Sequence, residues 1–262
     1  MQASEDGRIA VSQTGGVMTL QIDRPDKKNA LTDALYGALS DALDNAGQDP
    51  AIRAVVMLGA GDAFCAGNDI SDFLTMTSRQ GSEGQAEAQV FRFLRLLGSF
   101  SKPLLAGVQG RAVGIGTTML LHCDHVVLAE DAQLSTPFVS LGLVPEAASS
   151  LLLPRLVGHA RAFAMLAMGA VMGAQEAHEA GLTNAVVPRA ELDDAVMQTA
   201  QHIAALPPGA VQQTKALMRN REEIARVMDA EIEIFAARLK SAEAREAFTA
   251  FLEKRAPDFS SF

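Results

Sequence analysis

Gly110-Arg-Ala-Val-Gly-Ile-Gly116 decides how the chain folds: an apolar run at 104–109 leads into it and a second apolar run, Thr117-Thr-Met-Leu-Leu121, leaves it. Glycines just before a helix let the backbone approach a neighbour closely and leave unpaired N–H groups facing outward, toward which the helix dipole draws negative charge. The helix that follows is apolar nearly all round, so it is buried. Two readings stay open on this segment alone. The glycines hold an oxyanion, or they merely permit tight packing of helix on strand. A third glycine three residues after Gly116 is missing, and no Gly-Lys-Ser/Thr ending follows, so the dinucleotide fingerprint and the phosphate loop are both excluded.

Outward from this point the same device recurs. A buried strand at 52–58 runs into the loop Gly59-Ala-Gly-Asp-Ala-Phe-Cys-Ala-Gly-Asn-Asp69, and Asp69 can cap a short helix that begins near Ile70. Upstream, 8–13 and 17–23 flank Gly15-Gly16 as a hairpin, Arg24-Pro-Asp-Lys-Lys-Asn29 is a turn, and Thr32 caps a helix running to about Gly47. Residues 78–84 are polar, 86–98 are helical and Pro103 ends that helix. Downstream come strands at 124–129, 133–135 and 184–187, with helices from about Glu146, Ala160 and Ala174. From Glu191 onward the pattern is amphipathic helix only, broken at Pro207-Pro208. The chain therefore divides into an α/β core, 1–200, and a helical C-terminal region, 201–262. In that region Ile224, Val227, Met228, Ile232, Phe235 and Leu239 form one stripe, which must cover either the core or another subunit.

A chain of 262 residues, 48% apolar and 20% charged, is a compact soluble protein with a large core. Its net charge of −9 excludes nucleic acid and anionic membrane as partners, since both require clustered Lys and Arg. Cys65 and Cys123 make neither a disulfide framework nor a paired metal motif, and no apolar run spans a membrane. The polar start at 1–7 reads as neither a signal nor a transit peptide, so the cytoplasm is the expected address. His122-Cys-Asp-His125 does not make a metal site, because adjacent strand residues face opposite ways and no ligand cluster follows. His178-Glu179 lacks a second histidine and reads as surface, and no Gly-x-Ser-x-Gly elbow exists.

Chemistry requires a group that can move a proton near the two glycine loops. The acid in Leu141-Gly-Leu-Val-Pro-Glu146 is the candidate, although an acid after proline also serves simply to stabilise a helix start. Two N–H donor loops and one acid are the parts needed to form an enolate.

Arg24-Pro-Asp-Lys-Lys-Asn-Ala-Leu-Thr32, Ala63-Phe-Cys-Ala-Gly-Asn-Asp-Ile70, Gly110–Gly116, Cys123-Asp124, Gly181-Leu182 and Phe251-Leu-Glu-Lys-Arg255, in this order, resemble the crotonase family, also called the enoyl-CoA hydratase/isomerase family. The resemblance covers almost the whole chain. It implies an α/β fold built as a spiral of ββα units with a helical C-terminal trimerisation region, and a homotrimer or hexamer. It implies that the backbone N–H groups of Asn68 and Ile115 hold a thioester oxygen. It also implies that coenzyme A lies along the loop after Arg24 and around 66–70, which nominates Ala30, Ala66, Gly67, Asp69 and Ile70. Lys27, Lys28 and Lys254 are candidates for its phosphates, or else solvated surface charges.

Hydratases of the family carry two glutamates, and the matching positions here are Thr118 and Phe138, neither of which is an acid or base near neutral pH. Glu146 stands where Δ3,Δ2-enoyl-CoA isomerases of the family carry their single glutamate. The resemblance thus implies an isomerase: Glu146 takes a C2 proton and returns it to C4, and no metal or redox cofactor is needed, the acyl-CoA being the substrate. Phe138, Leu143 and Val144 are expected to raise the basicity of Glu146, a helix start to lower it, and burial to prevail. The rivals are isomerisation of a ring-bearing acyl-CoA, hydrolysis or dehalogenation with Glu146 as nucleophile, weak hydration, and a non-catalytic acyl-CoA-binding protein. Residues 75–89 are expected to shape the acyl pocket.

Overall fold

The computed structural model describes residues 8–70 and 88–262. Within them, β1 (Arg8–Thr14) and β2 (Val17–Asp23) form the expected hairpin about Gly15-Gly16, and α1 (Asp33–Gln48) starts where Thr32 accepts the Leu35 N–H. After β3 (Ala54–Gly59) come α2 (Gln89–Ser99), β4 (Leu104–Val108), β5 (Arg111–Val113), α3 (Ile115–Thr118), β6 (His125–Ala129) and β7 (Gln133–Ser135). Then follow α4 (Ser149–Val157), α5 (His159–Leu166), β8 (Met172–Gly173), α6 (Ala174–Glu179) and β9 (Ala185–Val187). The chain continues as helices: α7 (Leu192–Ala204), α8 (Pro208–Met218), α9 (Arg221–Leu239) and α10 (Ala242–Leu252).

Two sheets organise these elements. The larger has the order β1-β2-β3-β4-β6-β9, antiparallel only at the hairpin, and the smaller is β5-β7-β8. In β3 the side chains alternate: Val55 and Met57 join a core with α1 and α2, while Ala54, Val56 and Leu58 face Leu192, Val196 and Ala200 of α7. Both faces of the parallel strands are covered, which is why 54–58 and 104–108 read as unbroken apolar runs. Each large side chain so buried stabilises the fold by roughly 1.5–3 kcal/mol.

The structure corrects the opening stretch. Gly110 to Gly116 is more than a turn, because three of its residues form β5 and pair with β7 in the second sheet. The apolar segment after it is one turn of α-helix that continues into a tighter 3-10 turn, Met119–His122. His122 therefore ends a helical turn rather than lying on a strand. The α9 stripe covers this chain's own core: Ile224, Met228 and Phe235 are buried, with Val227, Ile232 and Leu239 packed beside them. Pro208 opens α8, as a proline at the first helical position can. Residues 1–7, 78–84 and most of 75–89 lie outside the described residues, and no helix of the described residues is long and apolar enough to cross a membrane.

Candidate active site

The first donor loop is fixed by the turn after β2. Lys28 and Asn29 are both left-handed, which turns the Asn29 side chain inward. Its amide donates to the carbonyls of Ala60 (2.8 Å) and Ala63 (2.7 Å) and accepts the Arg24 N–H. The Leu31 N–H donates to Gly67 and the Asp69 N–H to Leu31, a parallel bridge that leaves the peptide N–H of the intervening Asn68 pointing the other way. The Arg24 guanidinium clamps the turn, donating to the Ala30 carbonyl and, at 2.7 Å, to Asp69. Asp69 thus pairs with Arg24 and directly precedes the helical residue Ile70, the position expected of a cap; the rest of that turn lies outside the described residues.

The two donor loops are joined by backbone. Cys65 N–H donates to Arg111 O and Val113 N–H to Cys65 O. Gly67, at φ +92°, is where they meet, since a Cβ there would stand 3.0 Å from the Val113 carbonyl. Gly114 turns the chain into α3, and Ile115, as the first helical residue, has no carbonyl a turn behind it to accept its N–H. Asn68 and Ile115 both line one cavity of about 360 Å³, together with Phe138, Phe235, Phe248 and Phe251.

Glu146 lines a smaller recess that shares Asn68 and Phe235 with that cavity. It is 6% exposed. One carboxyl oxygen accepts from Thr118 Oγ1 at 2.5 Å, and the other has no hydrogen-bond partner among the described residues. Burial pushes its pKa to about 8, the Thr118 hydrogen bond works against that, and the charge of Glu231 adds to it. Burial prevails as expected, and one expectation is corrected. The apolar groups of the recess are Val90, Phe91 and Leu94 of α2 with Ile232 and Phe235 of α9, whereas Phe138 and Leu143 line the larger cavity. Glu146 does not open the expected helix: Ala147 and Ala148 are left-handed, and α4 starts only at Ser149. The group that lowers its pKa is accordingly Thr118.

Sequence reading discounted Thr118 because it is not an acid, yet it supplies the hydroxyl that orients one. It also passed over Tyr36, whose buried hydroxyl donates to the Asn68 side chain at 2.5 Å. His122, buried and held neutral with a pKa of about 3 by desolvation and then by Arg219, contacts the Ala147 carbonyl at 2.7 Å. Of the other sequence candidates, Ala66, Gly67 and Ile70 line the cavity, although the Ala66 N–H is taken by Lys28 O. Ala30 contributes a carbonyl to Arg24. Lys27 and Lys254 are exposed, and Lys28 is exposed and ion-paired to Asp62 at 2.7 Å, a contact worth little against solvent. Two donors facing a cavity beside one buried, basic carboxyl can stabilise an oxyanion and move a proton.

The family model for enoyl-CoA hydratase/isomerase matches residues 12–261. The chain belongs to that family. Among its relatives, 1,2-epoxyphenylacetyl-CoA isomerase of Escherichia coli K12 is 34% identical, over 94% of this chain and 95% of its own. Enoyl-CoA delta isomerase 2 of Rattus norvegicus is 35% identical, over 97% of this chain and 66% of that longer protein. The crystal structure of an enoyl-CoA hydratase/isomerase from Pseudoalteromonas atlantica T6c superposes with a TM-score of 0.90 at 42% identity, covering 96% of this chain and 99% of that one. The protein is thus a crotonase-fold enzyme of acyl-CoA chemistry.

Proposed function

We propose that this enzyme is a Δ3,Δ2-enoyl-CoA isomerase. Glu146 carries the reading: among the described residues lining the cavity and the recess that shares Asn68 and Phe235 with it, it is the sole titratable group. The thioester oxygen sits against the N–H groups of Asn68 and Ile115, which stabilise the dienolate formed when Glu146 removes a C2 proton. The same carboxyl then delivers the proton to C4, leaving the double bond at C2–C3 and the base regenerated. A base with a pKa of about 8 is suited to this, being strong enough to take the proton and acidic enough to return it. Hydration would need a second group to activate water, and the positions that resemble the hydratase acids hold Thr118 and Phe138. Coenzyme A is read along the Arg24 turn and 66–70, with Lys27, Lys28 and Lys254 at its phosphates, and no further cofactor takes part. Exposed Phe163, Met168, Leu217 and Met218 support an oligomer, a homotrimer or hexamer.

Turnover of 3-hexenoyl-CoA by wild type and Glu146→Gln, with hydration of 2-hexenoyl-CoA measured beside it, tests the reading. Isomerisation lost in the variant and little hydration in either protein is the expected result. Wild type without isomerisation, or a variant that keeps it, overturns it. A second reading, isomerisation of a ring-bearing acyl-CoA, is favoured by the four phenylalanines of the cavity and by the Escherichia coli relative. A preference of at least tenfold in kcat/KM for a phenyl-substituted 3-enoyl-CoA over 3-hexenoyl-CoA would select it.

A further inference from the structure

Helix α9 carries one acid on its apolar stripe. Glu231 falls between Met228 and Phe235 on the face that packs on the core, and it is only 6% exposed. Its Oε1 accepts two hydrogen bonds from Ser150, from the N–H at 2.9 Å and from Oγ at 2.5 Å. Helix α4 has no cap of its own, since Ala148 occupies the cap position without a side-chain acceptor. Glu231 therefore caps α4 from another element, satisfying donors that a local Ser or Asp ordinarily meets.

That capped end lies directly behind Glu146. The two residues between, Ala147 and Ala148, hold φ of +60° and +52°, a conformation that costs a non-glycine residue free energy and persists only where its surroundings fix it. Several contacts fix it, among them Ser149 N–H on the Glu146 carbonyl, His122 on the Ala147 carbonyl, and Glu231 on Ser150. We propose that Glu231 is a positioning residue for the reaction: its carboxyl pins the start of α4 so that the left-handed turn aims the Glu146 carboxyl at the substrate carbon. Burial raises the pKa of Glu231 as well, and where it is ionised its charge adds to the basicity of Glu146. This rests on Glu146 being the base. Among the described residues, the groups that face Glu146 are the Thr118 and Tyr36 hydroxyls, the Cys65 thiol and Glu231; His122, on the next peptide, is neutral. Glu231 alone among them brings a carboxylate.

The test is steady-state turnover of 3-hexenoyl-CoA across pH 6–10 by wild type, Glu231→Gln and Glu231→Ala, with Glu146→Gln in parallel. Glutamine keeps an acceptor for Ser150 and removes the charge. It retains kcat to within about threefold and moves the ionisation in kcat/KM to lower pH by roughly half to one unit. Alanine releases the turn and lowers kcat about 10- to 100-fold with KM little changed. A Glu231→Gln profile that superposes on wild type overturns the proposal, as does a folded Glu231→Ala enzyme with wild-type kcat. If alanine prevents folding, the glutamine profile decides. An inactive Glu146→Gln beside wild-type behaviour of both Glu231 variants removes the positioning role alone, whereas an active Glu146→Gln removes the base.

Discussion

Replacing Glu146 by glutamine will stabilise the fold, and increasingly so as pH rises. The carboxyl titrates near 4.5 in an unfolded chain and near 8 in its recess. Between those values the folded protein holds a proton that the unfolded chain has released, so rising pH favours unfolding. Below the window both states are protonated and glutamine is a near-isosteric replacement that leaves stability roughly unchanged. Across the window the variant gains about 1.4 kcal/mol per pH unit over wild type, reaching roughly 5 kcal/mol by pH 8 and then holding level. Glu231 titrates in both proteins, so its own contribution largely cancels. Urea unfolding at pH 5, 6, 7, 8 and 9, at one protein concentration, reads the difference directly. A gap that stays constant with pH, or one that closes as pH rises, would refute the claim that burial raises the pKa of Glu146.

The same ionisation sets activity: kcat/KM for the 3-enoyl thioester will rise with pH and level off above about 8, and a profile already flat at pH 6 would contradict it. Thr118→Val removes the donor that favours the carboxylate, so the rising limb moves to higher pH and kcat falls roughly 10- to 100-fold, the worth of a hydrogen bond to a charged group; an unshifted limb sinks this. Tyr36→Phe strands the Asn68 side-chain oxygen and will lower stability by about 1–3 kcal/mol, so wild-type urea unfolding would count against that contact. Gly67→Ala forces a Cβ into a left-handed residue 3.0 Å from Val113 O, prising the donor loops apart; an enzyme of unchanged kcat would show that their spacing is not critical.

Where local chemistry and tertiary structure agree, the sequence was readable. The hairpin at Gly15-Gly16, the Thr32 cap and the apolar strands each follow from nearest neighbours in the chain, and the ordered motifs carried the family. The site was readable only in outline. Glu146 stood out as the acid following the glycine loops, and the resemblance supplied its role, but its neighbours come from 36, 90–94, 118 and 231–235, and no periodicity joins those positions. Thr118 was judged by what it cannot ionise rather than by what it can donate. The helix expected from Glu146 starts three residues later because Ala147 and Ala148 are left-handed, a conformation alanine does not advertise. Glu231 did leave a trace: it lies four residues after Val227 and three after Met228, on the apolar face, where an unpaired acid costs free energy. A buried acid on a helix stripe is a reason to look for the donors it serves. The β5 strand was missed because three residues between glycines are too few to show alternation.

The shuttle itself is tested most directly with 3-hexenoyl-CoA deuterated at C2, converted in ordinary water within a single turnover. Glu146 is sealed from solvent, so the account predicts 2-hexenoyl-CoA with a substantial share of the deuterium at C4, and no product from Glu146→Gln. A product whose C4 hydrogen comes wholly from water, or an equally active glutamine variant, would contradict it.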